Sequence, residues 1–371
     1  MPRKNGKGLA LDTPIPTPDG WTTMGDLRVG DTLYAEDGSE CTVTFVSDHR
    51  ELDCYEIEFA NGEKIVCDGD HLWETTAKVD SPGSTAVYPR VKVPLRRVRD
   101  TRKLFASQKY GVRNDNNHTI EMPNPLVGRD VDLPVDPYLL GTWLGNGCAK
   151  AAVISYGHGD AEFAALQFRD LGFPVRIRVD RTCSSVILAG GSQDEPLISK
   201  LRKLGVYDNK RIPKEYLRAS YAQRLALLQG LMDTDGYADS AGKAQEFSVV
   251  HNRSFAEDVC ELLSSFGIKY AIKEKTGLRC NGRVVPGIAY RIQFFMYRDV
   301  LPVFRLPRKL NRQPVSCKEK VKPRSRSLSI VSIQKVDTVK TKCIQVDSAS
   351  SLFLCGRTMI PTHNTSISAP L

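Results

Sequence analysis

The chain has 371 residues, 41% of them hydrophobic and 26% charged, which is room for two soluble domains with buried cores and excludes a disordered or fibrous chain. Its net charge of +9 is uneven: residues 1–80 hold 7 Lys/Arg against 17 Asp/Glu, residues 81–326 hold 41 against 24, and residues 327–371 hold 4 against 2. A middle of net +17 suits a polyanionic partner, most simply nucleic acid, although a solvated basic surface gives the same count. No apolar run approaches the roughly 20 residues of a membrane helix. Residues 1–20 show no apolar stretch ending in a small-residue cleavage site, so no secretory signal is expected. The ten cysteines include no C-x-x-C pair, which points to free thiols in a reducing compartment rather than a zinc site.

In chain order, residues 11–75 read as short strands and tight turns. Asp19-Gly20 and Asp37-Gly38 are turn signals. Tyr55, Ile57 and Phe59 alternate with Glu56 and Glu58 as a half-buried strand, Asn61-Gly62 makes a hairpin turn, and Lys64 to Cys67 begins the return. The densest basic clusters are Arg90 to Lys103 and Arg305 to Arg326; the second includes Lys318, Lys320, Lys322 and Arg324. The middle reads as α/β with an internal duplication. The segment Tyr138 to Gly147 has the shape of Leu228 to Gly236. Each is followed by a second helix closed by glycine: Asp160 to Leu171 before Gly172, and Ser254 to Phe266 before Gly267, with Ser254 and Glu257 as a capping box. The copies are offset by 89 and 95 residues, which implies a pseudo-two-fold domain suited to duplex DNA. Leu328 to Ile333, Thr341 to Val346 and Ser351 to Leu354 return to the β-rich style of the beginning.

Gly141 and Gly145 in the first helix and Gly230 in the second let two backbones approach closely. Acidic residues at the two helix ends would then meet, hold Mg²⁺ between substrate phosphates and position water for phosphodiester hydrolysis. This pattern resembles the LAGLIDADG homing endonucleases. The resemblance implies one acid from each motif at the metal: Asp235 takes that place in the second copy, while Asn146 stands where the family has Asp. Lys210-Arg211-Ile212-Pro213 resembles the family's basic segment and implies Lys210 as the catalytic lysine. With one carboxylate replaced by an amide, impaired cleavage of double-stranded DNA is expected.

The segment Pro361-Thr362-His363-Asn364-Thr365 has its own chemistry. The Asn364 amide can attack its own peptide carbonyl and cut the chain after itself, His363 can polarise that carbonyl, and the Thr365 hydroxyl can receive an acyl group. At the other end, Gly8 to Ile15 with Asp19-Gly20-Trp21 resembles the first splicing block of inteins, and Met24 to Asp31 extends the match. Lys64 through His71 resembles the second block, and Cys343 through Asn364 the last two. The chain is thus similar to an intein over nearly its whole length. The implied fold is a β-rich, horseshoe-like Hint splicing domain formed from both ends, with an α/β pseudo-two-fold LAGLIDADG domain inserted.

Inteins usually begin with Cys or Ser, whereas here the first residue is Gly8, and Asp68 replaces the second block's usual Thr. Trp73, Cys343 and Thr362 match the marks of class 3 inteins. That resemblance implies direct attack by the Cys343 thiolate on the Lys7–Gly8 carbonyl, giving a branched thioester. A Cys at its unperturbed pKa of about 8.5 is only a few per cent thiolate at neutral pH, so the site should activate it. His71 is then the candidate acid for the departing Gly8 amine, with Trp73 and Thr362 shaping the site. Thr365 takes the acyl group and Asn364 cyclises with help from His363. No cofactor is implied for splicing.

The boundaries that follow are an N-terminal flank 1–7, splicing domain 8–105, linker 106–132, endonuclease 133–315, basic linker 316–326, splicing domain 327–364 and C-terminal flank 365–371. Joining the flanks brings Gly6-Lys7 to Thr365, the heart of a phosphate-binding loop. Arg-Lys-Asn-Gly-Lys-Thr resembles the variant Walker A of phage terminase large subunits, which implies a phage-encoded host protein in a bacterial cytoplasm. The partners implied are the flanks in cis and double-stranded DNA, with no membrane. The competing readings are a freestanding DNA endonuclease or DNA-binding module, and a Hint protein that cleaves without splicing.

Overall fold

The period-2 pattern is realised in the strand Cys54–Phe59, where Tyr55, Ile57 and Phe59 are buried and Glu56 and Glu58 partly exposed. Gly62 at φ +89° takes the left-handed conformation of the Asn61-Gly62 turn, and Lys64–Asp68 returns antiparallel with Ile65 opposite Ile57. The structure is a computed structural model that describes residues 7–78, 95–148, 151–188, 196–239, 244–280, 283–316 and 326–363. Asn364, Thr365, Lys318, Lys320, Lys322 and Arg324 lie outside the described residues. The chain divides into two compact units, one of Met1–Val127, Ser264–Lys269 and Pro323–Leu371, the other of Gly128–Leu263 and Tyr270–Lys322.

The first unit is built from a nine-stranded antiparallel sheet that interleaves the two chain ends. Its order is Arg96–Asp100, Leu72–Ala77, His118–Glu121, Ser327–Val336, Cys54–Phe59, Lys64–Asp68, Leu9–Ala10, Lys340–Lys342 and Arg50–Glu51. Fully buried Leu9, Ile57, Phe59, Trp73, Ile330 and Phe353 belong to one core, so neither end completes it alone. Residues 106–132 are not simply a linker, because His118–Glu121 fills a place in the sheet between Leu72–Ala77 and Ser327–Val336. Four residues are too few for alternation to separate a strand from a loop. The expected strand Thr341 to Val346 is two strands. Lys340–Lys342 pairs with Leu9–Ala10, Ile344–Val346 pairs with Glu40–Val46, and the chain changes sheets at Cys343.

In the second unit the helices Pro137–Asn146 and Tyr221–Thr234 pack together. Asp136 caps the first, and Ser220 with Gln223 forms a capping box on the second. A Cβ on Gly141 would lie 2.2 Å from Leu227 O, and one on Gly230 2.3 Å from Tyr138 O, so these positions permit the approach only as glycine. A three-stranded sheet (Val153–Tyr156, Ser184–Leu188, Val175–Val179) follows the first helix. A four-stranded sheet (Gly236–Ala238, Gln245–Val250, Arg283–Phe294, Tyr270–Cys280) follows the second. The later helices are Ala161–Asp170 and Arg253–Ser264.

The expected Ser254–Glu257 capping box does not form. Asn252 Oδ1 accepts from Phe255 N at 3.0 Å, and Glu257 pairs with Arg253, because Asn is as good a cap as Ser and stands where the helix begins. The charges of the basic middle are divided between the two units. Arg96 to Lys103 belong to the first unit, where Arg96 pairs with Glu121, Arg102 with Asp70 and Lys103 with Asp100. In the second unit Arg308 binds Asp160, Arg305 stacks 4.2 Å over Tyr138, and Lys309 is buried. These charges are taken up by internal partners.

Candidate functional site

The edge of the strand Leu9–Ala10 determines what meets the peptide bond before it. Leu9 is opposite Cys67 on one side and Lys342 on the other, so Gly8 falls between Asp68 and Cys343 on the two neighbouring segments. Gly8 N donates to Asp68 Oδ2 at 2.5 Å, and Asp68 N donates to Gly8 O at 3.0 Å. A Cβ on Gly8 would come within 2.8 Å of Thr341 Cβ and Oγ1, so position 8 has no room for a nucleophilic side chain without a shift of the neighbouring strand.

The Lys7 carbonyl faces His71, whose Nδ1 lies 2.7 Å from Lys7 O while its Nε2 lies 2.6 Å from Thr362 Oγ1. A carbonyl oxygen only accepts, so Nδ1 carries a proton. Burial pushes the His71 ring down to about 4, against the pull of the Lys7 carbonyl and with His363 acting in the same direction as burial. The ring is therefore neutral, Nε2 is an acceptor, and the Thr362 hydroxyl donates to it. His71 thus stands on the carbonyl side of the bond, and the amine side, where it was expected, is occupied by Asp68.

A short chain of contacts holds His71. Trp73 Nε1 donates to Thr101 Oγ1 at 3.2 Å, and Thr101 Oγ1 donates to His71 O at 3.0 Å. The Trp73 ring lies edge-on to the imidazole with centroids 5.0 Å apart. Thr362 comes from the hairpin Leu352–Cys355/Ile360–His363, and His363 ends that hairpin beside the site. Cys343 is buried at the sheet change, where its N donates to Ser47 Oγ at 3.0 Å and its O accepts from Ser47 N at 2.9 Å. Burial pushes the Asp68 carboxyl above the usual carboxylate range, against bonds from Gly8 and Asp70 N–H. The sequence marks Asp68 only as a departure from the family's Thr; its bond to Gly8 spans 60 positions and leaves no local signal.

In the second unit the helix ends carry Asn146 and Asp235, both exposed. Asn146 Nδ2 donates to Ser155 O at 2.8 Å. Lys210 Nζ donates to Gly145 O at 3.2 Å and lies 5.4 Å from the Trp143 ring centre. Burial lowers the Lys210 pKa while Asp235 raises it; crowding by the surrounding chain raises Asp235 while Lys210 lowers it. Both side chains of this pair therefore sit at one place. Lys309, which the sequence does not single out, donates to Met232 O, Asp233 O, Thr234 O and Gly236 O at 2.7–2.9 Å. It fixes the end of the Tyr221–Thr234 helix with a buried ammonium. The Asp235 carboxylate and the Asn146 amide oxygen are hard oxygen donors of the kind a hard divalent cation takes. Among the described residues, no three His, Cys, Asp or Glu side chains gather as a metal cage.

Comparison with known proteins bears on both units. A LAGLIDADG-like domain model matches residues 222–294. A replicative DNA helicase DnaB of Mycobacterium intracellulare is 36% identical over 370 residues, covering 98% of this chain and 59% of that protein. A replicative DNA helicase DnaB of Mycobacterium leprae (strain TN) is 51% identical over 72 residues, 19% of this chain and 12% of that protein. Among solved structures, the MchDnaB-1 intein (N145AA) covers 96% of this chain and 99% of its own at 16% identity and a TM-score of 0.30. I-DmoI in complex with DNA and Ca covers 48% and 95% at 14% identity and a TM-score of 0.32. The expected fold class stands: a β-rich unit built from both chain ends, with an inserted α/β unit that carries the LAGLIDADG-like match. The terminase expectation finds no support: two matched relatives are named replicative DNA helicases and a third, 23% identical over 265 residues, is named an iron-sulfur cluster assembly SufBD family protein. Among the described residues no helix is long and apolar enough to cross a membrane.

Proposed function

We propose that the chain is a self-splicing intein with a nested DNA endonuclease, excising Gly8–Asn364 and joining Lys7 to Thr365. The observation that carries this reading is the treatment of one peptide bond. The Lys7 carbonyl oxygen meets His71 Nδ1 and the Gly8 nitrogen meets Asp68, both of them buried side chains. A bond with only a structural role has no need of a titratable partner on each side.

The splicing domain is the first unit, His118–Glu121 included, and the endonuclease is the second unit. Cys343 attacks the Lys7 carbonyl carbon, and the His71 Nδ1–H faces the oxygen on which charge develops. The C–N bond breaks and leaves a thioester on Cys343 and an amine on Gly8. Thr365 takes the acyl group from Cys343, and Asn364 cyclises beside His363, releasing the intein. The ester left on Thr365 moves to its own amine and becomes a peptide bond. The crowding at Gly8 supports the class 3 reading, because position 8 offers neither a nucleophile nor room for one. Gly-Lys-Thr at the joined ends, with the similarity to proteins named replicative helicases, favours a helicase host whose phosphate-binding loop is interrupted until splicing.

For the insert, Asp235 and Asn146 would hold Mg²⁺, which supplies Lewis-acid polarisation of a phosphodiester when bound. Lys210 sits beside Asp235 to meet phosphate charge. Exposed Arg176 on one strand, and Lys273 and Lys275 on another, offer cations to a DNA backbone. Asn146→Asp is expected to raise Mg²⁺-dependent cleavage of the uninterrupted host sequence, read on a gel; equal cleavage by both forms removes the need for a second carboxylate.

Intact mass after incubation tests splicing. The expected products are a species spanning Gly8–Asn364 and a peptide joining the two flanks. An unchanged full-length mass would leave a freestanding endonuclease as the better reading.

A further inference from the structure

We infer that Asp68 is the catalytic acid that delivers a proton to the departing Gly8 amine. This rests on the splicing reading above and assigns to Asp68 the step that the sequence pattern gives to His71. An amide nitrogen cannot leave as an anion near neutral pH, so a proton must reach it as the C–N bond breaks. Both nitrogens of the neutral His71 ring are already committed, Nδ1 to Lys7 O and Nε2 to Thr362. Asp68 Oδ2, by contrast, is 2.5 Å from Gly8 N, and Asp68 Oδ1 is held by Asp70 N at 3.0 Å, which fixes the carboxyl against the bond.

Burial raises the Asp68 carboxyl, and the backbone N–H groups of Gly8, Asp70 and His71 oppose that rise. Asp68 is fully buried, Cys54 lies opposite it in the ladder, Cys67 precedes it, and His71 donates its backbone N–H to Asp68 O. The charged neighbour acting on it is Asp70, which pushes its pKa upward in the same sense as burial. The step balances without any further reactant. The Cys343 Sγ–carbon bond forms and the Lys7 carbon–nitrogen bond breaks. Asp68 takes the proton that the Cys343 thiol gives up and passes it to the nitrogen, which keeps its own hydrogen, so the carboxyl ends as it began. The products are a thioester and an amine. His71 then has one task, to donate to the oxygen, and the two sides of the bond are served by separate groups.

The test uses the full chain carrying Asn364→Ala, in which the branched thioester accumulates and hydroxylamine releases the N-terminal flank. Asp68→Asn keeps an oxygen for the Gly8 N–H but has no acid proton, and should slow flank release on the order of 100-fold or more. Asp68→Glu should recover part of the rate. In a chain with Asn364 intact, cleavage after Asn364 should continue in both variants. Release by Asp68→Asn at the parent rate would overturn the inference. So would loss of both cleavages together in both variants, since the residue would then support the unit rather than one bond. Cys343→Ala in the same background separates the two levels: flank release that survives this change defeats the splicing reading itself, whatever Asp68 does.

Discussion

The two units place their reactive groups in opposite settings. In the β-rich unit Asp68, His71, Trp73 and Thr362 are at most 1% exposed, and they come from both ends of the chain. In the inserted unit Asn146 and Asp235 are exposed, and each ends the helix that carries its own motif. The difference follows from the substrate each would serve. A bond of the same chain can be enclosed while the sheet forms, and desolvation then strengthens every contact to it. A duplex arrives from outside and needs an open position. Both units also use missing Cβ atoms, but differently: Gly8 leaves space beside Thr341 for the chain, whereas Gly141 and Gly230 let two helices touch.

The strongest break in this comparison comes from Cys343→Ala. It should eliminate both cleavage at Lys7–Gly8 and ligated product by intact mass, while DNA binding by gel shift is unchanged. Ligation that persists would remove the class 3 assignment. His71→Ala removes the donor to the Lys7 oxygen and should slow thioester formation about 10²- to 10³-fold. A rate unchanged in hydroxylamine release would mean the contact is only structural. Thr362→Val leaves His71 Nε2 buried without its donor, a loss of roughly 10- to 100-fold in the same assay.

Gly230→Val tests whether the units are independent. A Cβ there meets Tyr138 O at 2.3 Å, and overpacking of this kind costs about 1–3 kcal/mol. Thermal unfolding should show the loss in the inserted unit, with splicing yield kept; equal loss of splicing would tie the two together. The smallest effect is one of pH. Burial lowers His71 to about 4, from the ordinary histidine value of about 6.5, so below about pH 6.5 the unfolded chain binds a proton that the folded chain refuses. Stability therefore falls as pH drops from about 6.5 towards 4, by roughly 1 kcal/mol at pH 5.5. The raised Asp68 carboxyl acts with the opposite sign, so the difference between urea midpoints at pH 7 and 5.5 is compared between the parent chain and His71→Gln. The same pH shift in His71→Gln would assign the effect elsewhere.

Much of this architecture is written locally. Alternation at Tyr55, Ile57 and Phe59, the Asn61-Gly62 turn and the glycine stripe at Gly141, Gly145 and Gly230 each state a geometry within a few residues, because strand and helix periods repeat over that distance. The motif blocks at the two ends, and the duplication with its offset Asn146 and Asp235, are likewise legible as spacing. The tertiary structure alone decided who faces the Lys7–Gly8 bond. His71 lies on the oxygen and Asp68 on the nitrogen because Leu9–Ala10 is threaded between Lys64–Asp68 and Lys340–Lys342. It also turned Lys309 from a member of a basic cluster into the buried cap of a helix end. Hydrogen-bond partners 60 to 291 positions apart share no local period. They are selected when burial forces each polar group to find a partner, and only the folded chain brings those groups together.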